Sequence, residues 1–162
     1  MKSSFIYYFK IIAVVFVISL PIIFPYLKPG YFPTHDGEWA VVRLSDMFRE
    51  LRDFQIPPRY SGDLNFGYGY PLFNFVYPLP YYLGLVMYLF GLGFVDSIKS
   101  LFFLSVPLSA FFMFLASKKV WKNTQAGLIS AAFYAYFPYR IVDLYVRGSL
   151  GESLAFVLFP LI

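Results

Sequence analysis

The run Ile11-Ile12-Ala13-Val14-Val15-Phe16-Val17-Ile18-Ser19-Leu20-Pro21-Ile22-Ile23-Phe24-Pro25-Tyr26-Leu27 contains no charged residue. With residues 5–9 included it reaches the roughly 20 apolar residues that a helix needs to cross a bilayer. Lys2 and Lys10 flank it on the N-terminal side, which orients that end toward the cytoplasm. Pro21-Ile22-Ile23-Phe24 is bulky where a signal-peptide cleavage site needs small residues, so this segment is expected to be a retained first span of about 5–27. The rest of the chain has the same character. Of 162 residues, 59% are hydrophobic, 23% are aromatic and only 14% are charged, with 21 Phe and 15 Tyr. Soluble domains carry about a quarter charged residues, and a small soluble chain cannot bury this much apolar surface. Composition therefore points to an all-α, polytopic transmembrane helical bundle, and excludes a disordered chain. The formal charge of +4 comes without a basic strip, so nucleic acid is not an expected partner. The chain has no cysteine, which removes disulfides and thiolate metal sites. Its end at Pro160-Leu161-Ile162, inside an apolar run, suggests the N-terminal part of a longer protein.

Half of the charged residues fall between Lys28 and Asp63, in an expected outer loop of about 28–98. Within it Val41, Leu44, Phe48 and Leu51 recur at helical spacing, with charges over the remaining surface. That pattern predicts an amphipathic helix of about 38–55 lying at the membrane interface, with Trp39 as an anchor. Pro57-Pro58 ends it. In Gly67-Tyr68-Gly69-Tyr70-Pro71 glycines and rings alternate, which suggests irregular backbone ordered by ring packing. The segment of about 76–95 is uncharged and either spans or is embedded. Further spans are expected at about 99–117, 124–139 and 153–162 onward. If 76–95 stays on the outer side, Lys118, Lys119 and Lys122 become cytoplasmic, as positive residues prefer. The polar residues from Arg140 to Glu152 then emerge beside the outer loop. This arrangement is the preferred one.

His35-Asp36-Gly37-Glu38 places two carboxylates two residues apart next to an imidazole. Such a set can hold a divalent cation or supply a general base, but Asp36 can equally cap the helix that follows, with Glu38 in its first turn. Arg140, Asp143, Arg147 and Glu152 can pair along one helix face, or their arginines can meet a phosphate. The dense rings of 66–82, Tyr70 and Tyr81 among them, suit either an interfacial belt or a groove for a lipid or sugar face. No phosphate loop, dinucleotide fingerprint or His-Glu-x-x-His is present.

Taken in order, several motifs resemble one family. They are Gly30-Tyr31-x-x-x-His35-Asp36-Gly37, Arg43, Gly67-Tyr68-Gly69-Tyr70-Pro71-Leu72-Phe73, Tyr77-Pro78-Leu79-Pro80-Tyr81-Tyr82-Leu83, Pro138-Tyr139-Arg140 and Arg147-Gly148-x-x-x-Glu152. The chain resembles the bacterial and archaeal integral membrane proteins called 6-pyruvoyl-tetrahydropterin synthase related. These in turn are similar to membrane glycosyltransferases of the C-type fold (GT-C). The resemblance implies a multi-pass plasma-membrane protein that moves a sugar from a polyprenyl-phosphate-linked donor to an acceptor at the outer face. It implies Asp36 and Glu38 as catalytic residues and as ligands of a divalent cation, Mg or Mn. It implies His35, Arg140, Arg147, Glu152, Tyr70 and Tyr81 as substrate-binding residues, and membrane lipids as partners. Many such transferases carry doubled acidic residues where this chain has Asp36-Gly37. The competing class is a non-catalytic membrane transport or lipid-binding assembly protein, for which Asp36 would be dispensable.

Overall fold

The structure, a computed structural model, describes residues 2–162, with side chains from Phe5 onward. It is all-helical: among the described residues there is no strand, and an isolated antiparallel bridge joins Ser61 to Tyr70. The helices are α1 (Lys2–Ile23), α2 (Gly37–Arg52), α3 (Leu79–Leu89), α4 (Phe94–Trp121), α5 (Thr124–Ala135), α6 (Pro138–Val142) and α7 (Leu150–Leu158). A π turn over Asp143–Arg147 joins α6 to the loop before α7.

Two stretches are long and apolar enough to cross a membrane, Phe5–Leu27 and Phe94–Trp121. They run antiparallel. At one end Lys99 at the start of α4 donates its Nζ to the backbone oxygen of Lys28, just past α1. At the other end the Lys118 ammonium lies 4.3 Å from the centroid of the Tyr7 ring, and Tyr7 hydrogen-bonds Thr124 at 2.9 Å. The loop of 28–93 therefore sits at one end of the pair, and the lysines near 120 lie at the other with the start of α1.

The apolar run of 124–139 is not one helix. Helix α5 has 12 residues, about 18 Å of rise against a hydrocarbon core of about 30 Å. Phe137 takes the extended conformation (φ −57, ψ 130) that a residue before proline prefers, and this breaks the helix ahead of Pro138. Helix α7 has nine residues, and α3 has 11, so neither crosses a bilayer by its own length.

Small residues bring α5 against α4. Ser117 and Ser130 hydroxyls meet at 2.8 Å, Ala131 and Ala135 are buried, and a Cβ at Gly127 would lie 2.8 Å from the Phe114 ring. Close approach through small side chains is how helices associate in an apolar medium. Helix α2 turns Ala40, Leu44 and Met47 inward and packs on α3 and α4, with the Leu44 methyls against Gly84. Trp39 is exposed.

The loop of 60–70 is held differently from the expectation of packed rings. Phe66 and Tyr68 are 99% and 82% exposed. Order comes from the backbone: Ser61 and Tyr70 exchange bonds at 2.9 and 3.1 Å, and the Tyr60 hydroxyl donates to the Tyr68 oxygen at 2.6 Å. Gly69 has φ +65, and a Cβ there would lie 2.6 Å from the Ser61 oxygen and from the Tyr60 ring.

Candidate functional site

Helix α2 is capped by Thr34. Its Oγ1 accepts the Gly37 N–H at 2.9 Å, and the Glu38 carboxylate accepts the Thr34 N–H at 3.3 Å. This reciprocal pair satisfies orphan donors of the first turn. Asp36 holds the N-cap position by backbone but makes no side-chain cap bond, so its carboxylate is left for other work.

That carboxylate lies in a small polar cleft of about 140 Å³, lined also by Ala40, Arg43, Tyr77, Tyr81 and the turn Gly148-Ser149-Leu150. Three parts of the chain meet here. From α2 come Asp36, Ala40 and Arg43 at spacings of four and three, one face of a helix, where the small Ala40 leaves the space between the two charges open. From the start of α3 come the rings of Tyr77 and Tyr81, stacked parallel at 6.3 Å. Tyr81 is fully buried, and its hydroxyl accepts from Arg43 Nη1 at a long 3.5 Å. The third wall is the turn that opens α7. Its Gly151 N–H donates to the Tyr77 hydroxyl at 3.3 Å.

Backbone bonds fasten the third wall to the first. His35 N–H donates to Val146 O at 2.9 Å, and Asp36 N–H donates to Arg147 O at 2.7 Å. Gly148, at φ +65, lets the two strands of chain touch: a Cβ there would meet Thr34 Oγ1 and lie 2.8 Å from the Gly37 nitrogen. Only glycine takes this backbone angle without penalty.

Asp36 and Arg43 share the cleft without an ion pair within 4.0 Å, and Arg43 Nε is buried without a hydrogen-bond partner. The site thus presents a carboxylate acceptor and a guanidinium donor that do not neutralise each other.

The other expected residues are placed elsewhere. Arg147 is held by Glu152 through two bonds of 2.6 and 2.8 Å, with the Tyr139 hydroxyl at 2.6 Å and Asp143 at 3.6 Å. Arg147, and then Tyr139, hold the Glu152 carboxyl below its ordinary pKa. The charge of Arg147 is thus met by carboxylates, the ion-pairing alternative of the two that its spacing left open. Arg140 is fully buried, 4.7 Å from the Phe156 ring centroid, with one bond to Ser105 Oγ at 3.1 Å. Its Nε and Nη1 have no hydrogen-bond partner among the described residues, and it does not line the Asp36 cleft. His35 is exposed and joins the site through its backbone alone. The Tyr70 backbone pairs with Ser61, and its side chain acts electrostatically on Arg43 without lining the cleft.

The paired carboxylates expected to hold a cation are not assembled. Glu38 is turned to Thr34, and the cleft offers Asp36 alone beside a guanidinium. Among the described residues no group of three or more His, Cys, Asp or Glu side chains converges as a metal site. A divalent ion calls for several oxygen ligands, and the cleft brings one carboxylate, Asp36, to it. Arg43, Tyr77 and Ser149 were not among the site residues expected from the sequence. The signal for Arg43 is the Asp36, Ala40, Arg43 stripe. Tyr77 and Ser149 depend on a contact between distant segments and have no local signal.

Comparison with known proteins adds little to this geometry. No family model matches the chain, and no solved structure matches it. It is 23% identical over 153 residues to an uncharacterized protein of Lactococcus lactis subsp. cremoris (strain MG1363), an alignment covering 92% of this chain. The chain spans about a quarter of the length of that relative, 25%.

Proposed function

We propose that this chain is the N-terminal part of a multi-pass membrane glycosyltransferase that moves a sugar from a polyprenyl-phosphate-linked donor to an acceptor hydroxyl at the outer face of the plasma membrane. The observation that carries the reading is the unpaired Asp36 and Arg43 in one polar cleft, at the loop-bearing end of two antiparallel apolar helices. In this reading α1 and α4 cross the bilayer and 124–139 crosses as a broken helix. Irregular backbone at depth is tolerated when packed against protein, as α5 is against α4.

The chemistry is an in-line displacement at the anomeric carbon. The acceptor oxygen bonds to that carbon as the bond to the donor phosphate oxygen breaks. The phosphate leaves with the bonding electron pair, and the acceptor proton passes to the Asp36 carboxylate, acting as general base. Arg43 stands where negative charge grows on the departing phosphate, and a preoriented cation in a confined site stabilises that charge more than water does. Tyr77, the exposed member of the ring pair, gives the sugar a ring face and a hydroxyl partner, and Tyr81 beneath it holds Arg43. Arg147 and Glu152 position the turn instead of touching the phosphate.

The test is transfer from a lipid-linked sugar by the full-length protein in reconstituted vesicles. D36N is expected to lower turnover about 10²- to 10⁴-fold, the usual weight of a general base. R43A is expected to lower it about 10²- to 10³-fold. Normal turnover in D36N would reject the assignment and favour the non-catalytic class.

A further inference from the structure

A second cleft lies apart from the Asp36 site, between the end of α1 and the start of α4. Its volume is about 500 Å³, and it shares no residue with the polar cleft. Its upper part is cationic and its lower part apolar. Lys28 is exposed at the rim, while Lys99 is nearly buried, its side chain 6% exposed. The carboxylate paired with Lys99 is Asp96 at 3.5 Å, and that side chain is 61% exposed. Lys99 also donates to the Lys28 oxygen, which leaves its third N–H without a partner among the described residues. Two ammonium groups against one largely hydrated carboxylate give the cleft a net positive charge in a partly desolvated place, where an unbalanced cation is costly.

The apolar walls on the membrane side of the lysines are Leu27 and Phe103, while Leu92 lines the end nearer the polar loop. Phe103 follows Lys99 by one turn, about 6 Å further along α4. There its ring meets Phe16 of α1 at 6.4 Å. The gradient from cation to apolar ring therefore runs along the helix axis, toward the centre of the bilayer if α1 and α4 cross it. An occupant matched to this gradient has a phosphate at one end and a hydrocarbon chain at the other.

We infer that this cleft binds an anionic phospholipid of the leaflet facing the polar loop, its phosphate against Lys28 and Lys99 and an acyl chain along Leu27 and Phe103. The inference rests on reading α1 and α4 as membrane crossings, but not on sugar transfer.

The experiment is retention of lipid by the purified full-length protein after detergent exchange, read by native mass spectrometry with phosphatidylglycerol, phosphatidylcholine, a polyprenyl phosphate or inorganic phosphate added. Phosphatidylglycerol is expected to be retained about thirtyfold better than phosphatidylcholine, the sum of two lysines near a lipid phosphate. Lys28→Glu is expected to reduce that preference about fivefold or more. Leu27→Trp, at an exposed position, keeps both lysines, fills the apolar part, and is expected to weaken retention of both phospholipids. Asp36→Asn should retain lipid as the unaltered protein does, so a silent D36N in transfer with a lipid-deficient K28E would reject the transferase reading and keep this one. Equal retention of the two phospholipids overturns the inference, as does an unchanged preference in K28E. Displacement by millimolar inorganic phosphate, or tighter binding of polyprenyl phosphate than of phosphatidylglycerol, overturns it as well, the last by assigning the cleft to the donor.

Discussion

Gly148 and Asp46 illustrate how much a single side chain decides here. At Gly148 a methyl group would strike Thr34 and the Gly37 nitrogen at a backbone angle that L residues resist. G148A is expected to lower stability by about 2 kcal/mol, seen as a fall in the thermal midpoint in detergent. Protease sensitivity of the 28–36 segment should rise with it, because the bonds from Val146 and Arg147 are lost together. Asp46 is almost fully buried on α2, and burial, then Asp63 and Glu50, push its carboxyl up to about 6, with Arg49 acting the other way. Its folded pKa lies above the ordinary carboxylate value, so the folded state binds the proton more tightly than the unfolded chain. The stability it contributes is fully present below about pH 4 and is lost as pH rises through about 6. Packing of α2 on the 55–63 loop should therefore tighten between pH 7 and pH 5. D46N should show raised stability at pH 7 and a flattened pH response, measured by thermal unfolding across that range. Asp36 was singled out by its neighbours in sequence, whereas the Asp36, Ala40 and Arg43 stripe was not read, because the apolar stripe of Val41, Leu44, Phe48 and Leu51 dominates the same helix. The capping role of Thr34 was not read, because Asp36 stands at the conventional position and both residues are good caps.

Among the elements, α1 and α4 were readable because an uninterrupted apolar run of the right length has few alternatives. The 124–139 run is equally apolar but ends as a helix at Ala135. The break comes from Phe137-Pro138, a dipeptide whose local restriction outweighs hydropathy. The same rule explains α3. Its prolines stand at the helix start, where they are accepted, and Gly91, at φ +98, ends the segment after 11 residues. The contact between α4 and α5 depends on small side chains, and it can be tested at Gly127. G127A is expected to cost about 1–2 kcal/mol by crowding Phe114. The larger G127L should cost more, whereas I129L on the exposed side of α5 should be silent. Thermal unfolding of the three variants in one detergent measures this.

For the assembled chain, the bonds between 35–36 and 146–147 and the contacts of Lys99 and Lys118 tie both ends of the helix pair into one arrangement. Charge placement in the sequence led to the same grouping: an outer loop with the Arg140 to Glu152 patch at one end and the lysines near 120 at the other. What charge could not reveal is that most of that patch neutralises itself. Arg147 and Glu152 satisfy each other, Arg140 is enclosed, and the free cation belongs to α2. The topology has a direct check in intact cells. A labelling site introduced beside Lys119 is expected to be protected from an impermeant reagent, and one beside Val146 is expected to react. Reaction at Lys119 would reject the membrane arrangement proposed above.

The bonds from His35 and Asp36 to Val146 and Arg147 also set a timetable for biogenesis. The donors emerge from the ribosome about 110 residues before their acceptors. At roughly 5–20 residues per second the first wall of the cleft waits on the order of ten seconds for the third. During that interval the 28–36 segment is without its anchor, and Phe32 lacks the Tyr145 ring that it stacks on in the finished fold. A stall before residue 148 leaves it in this form.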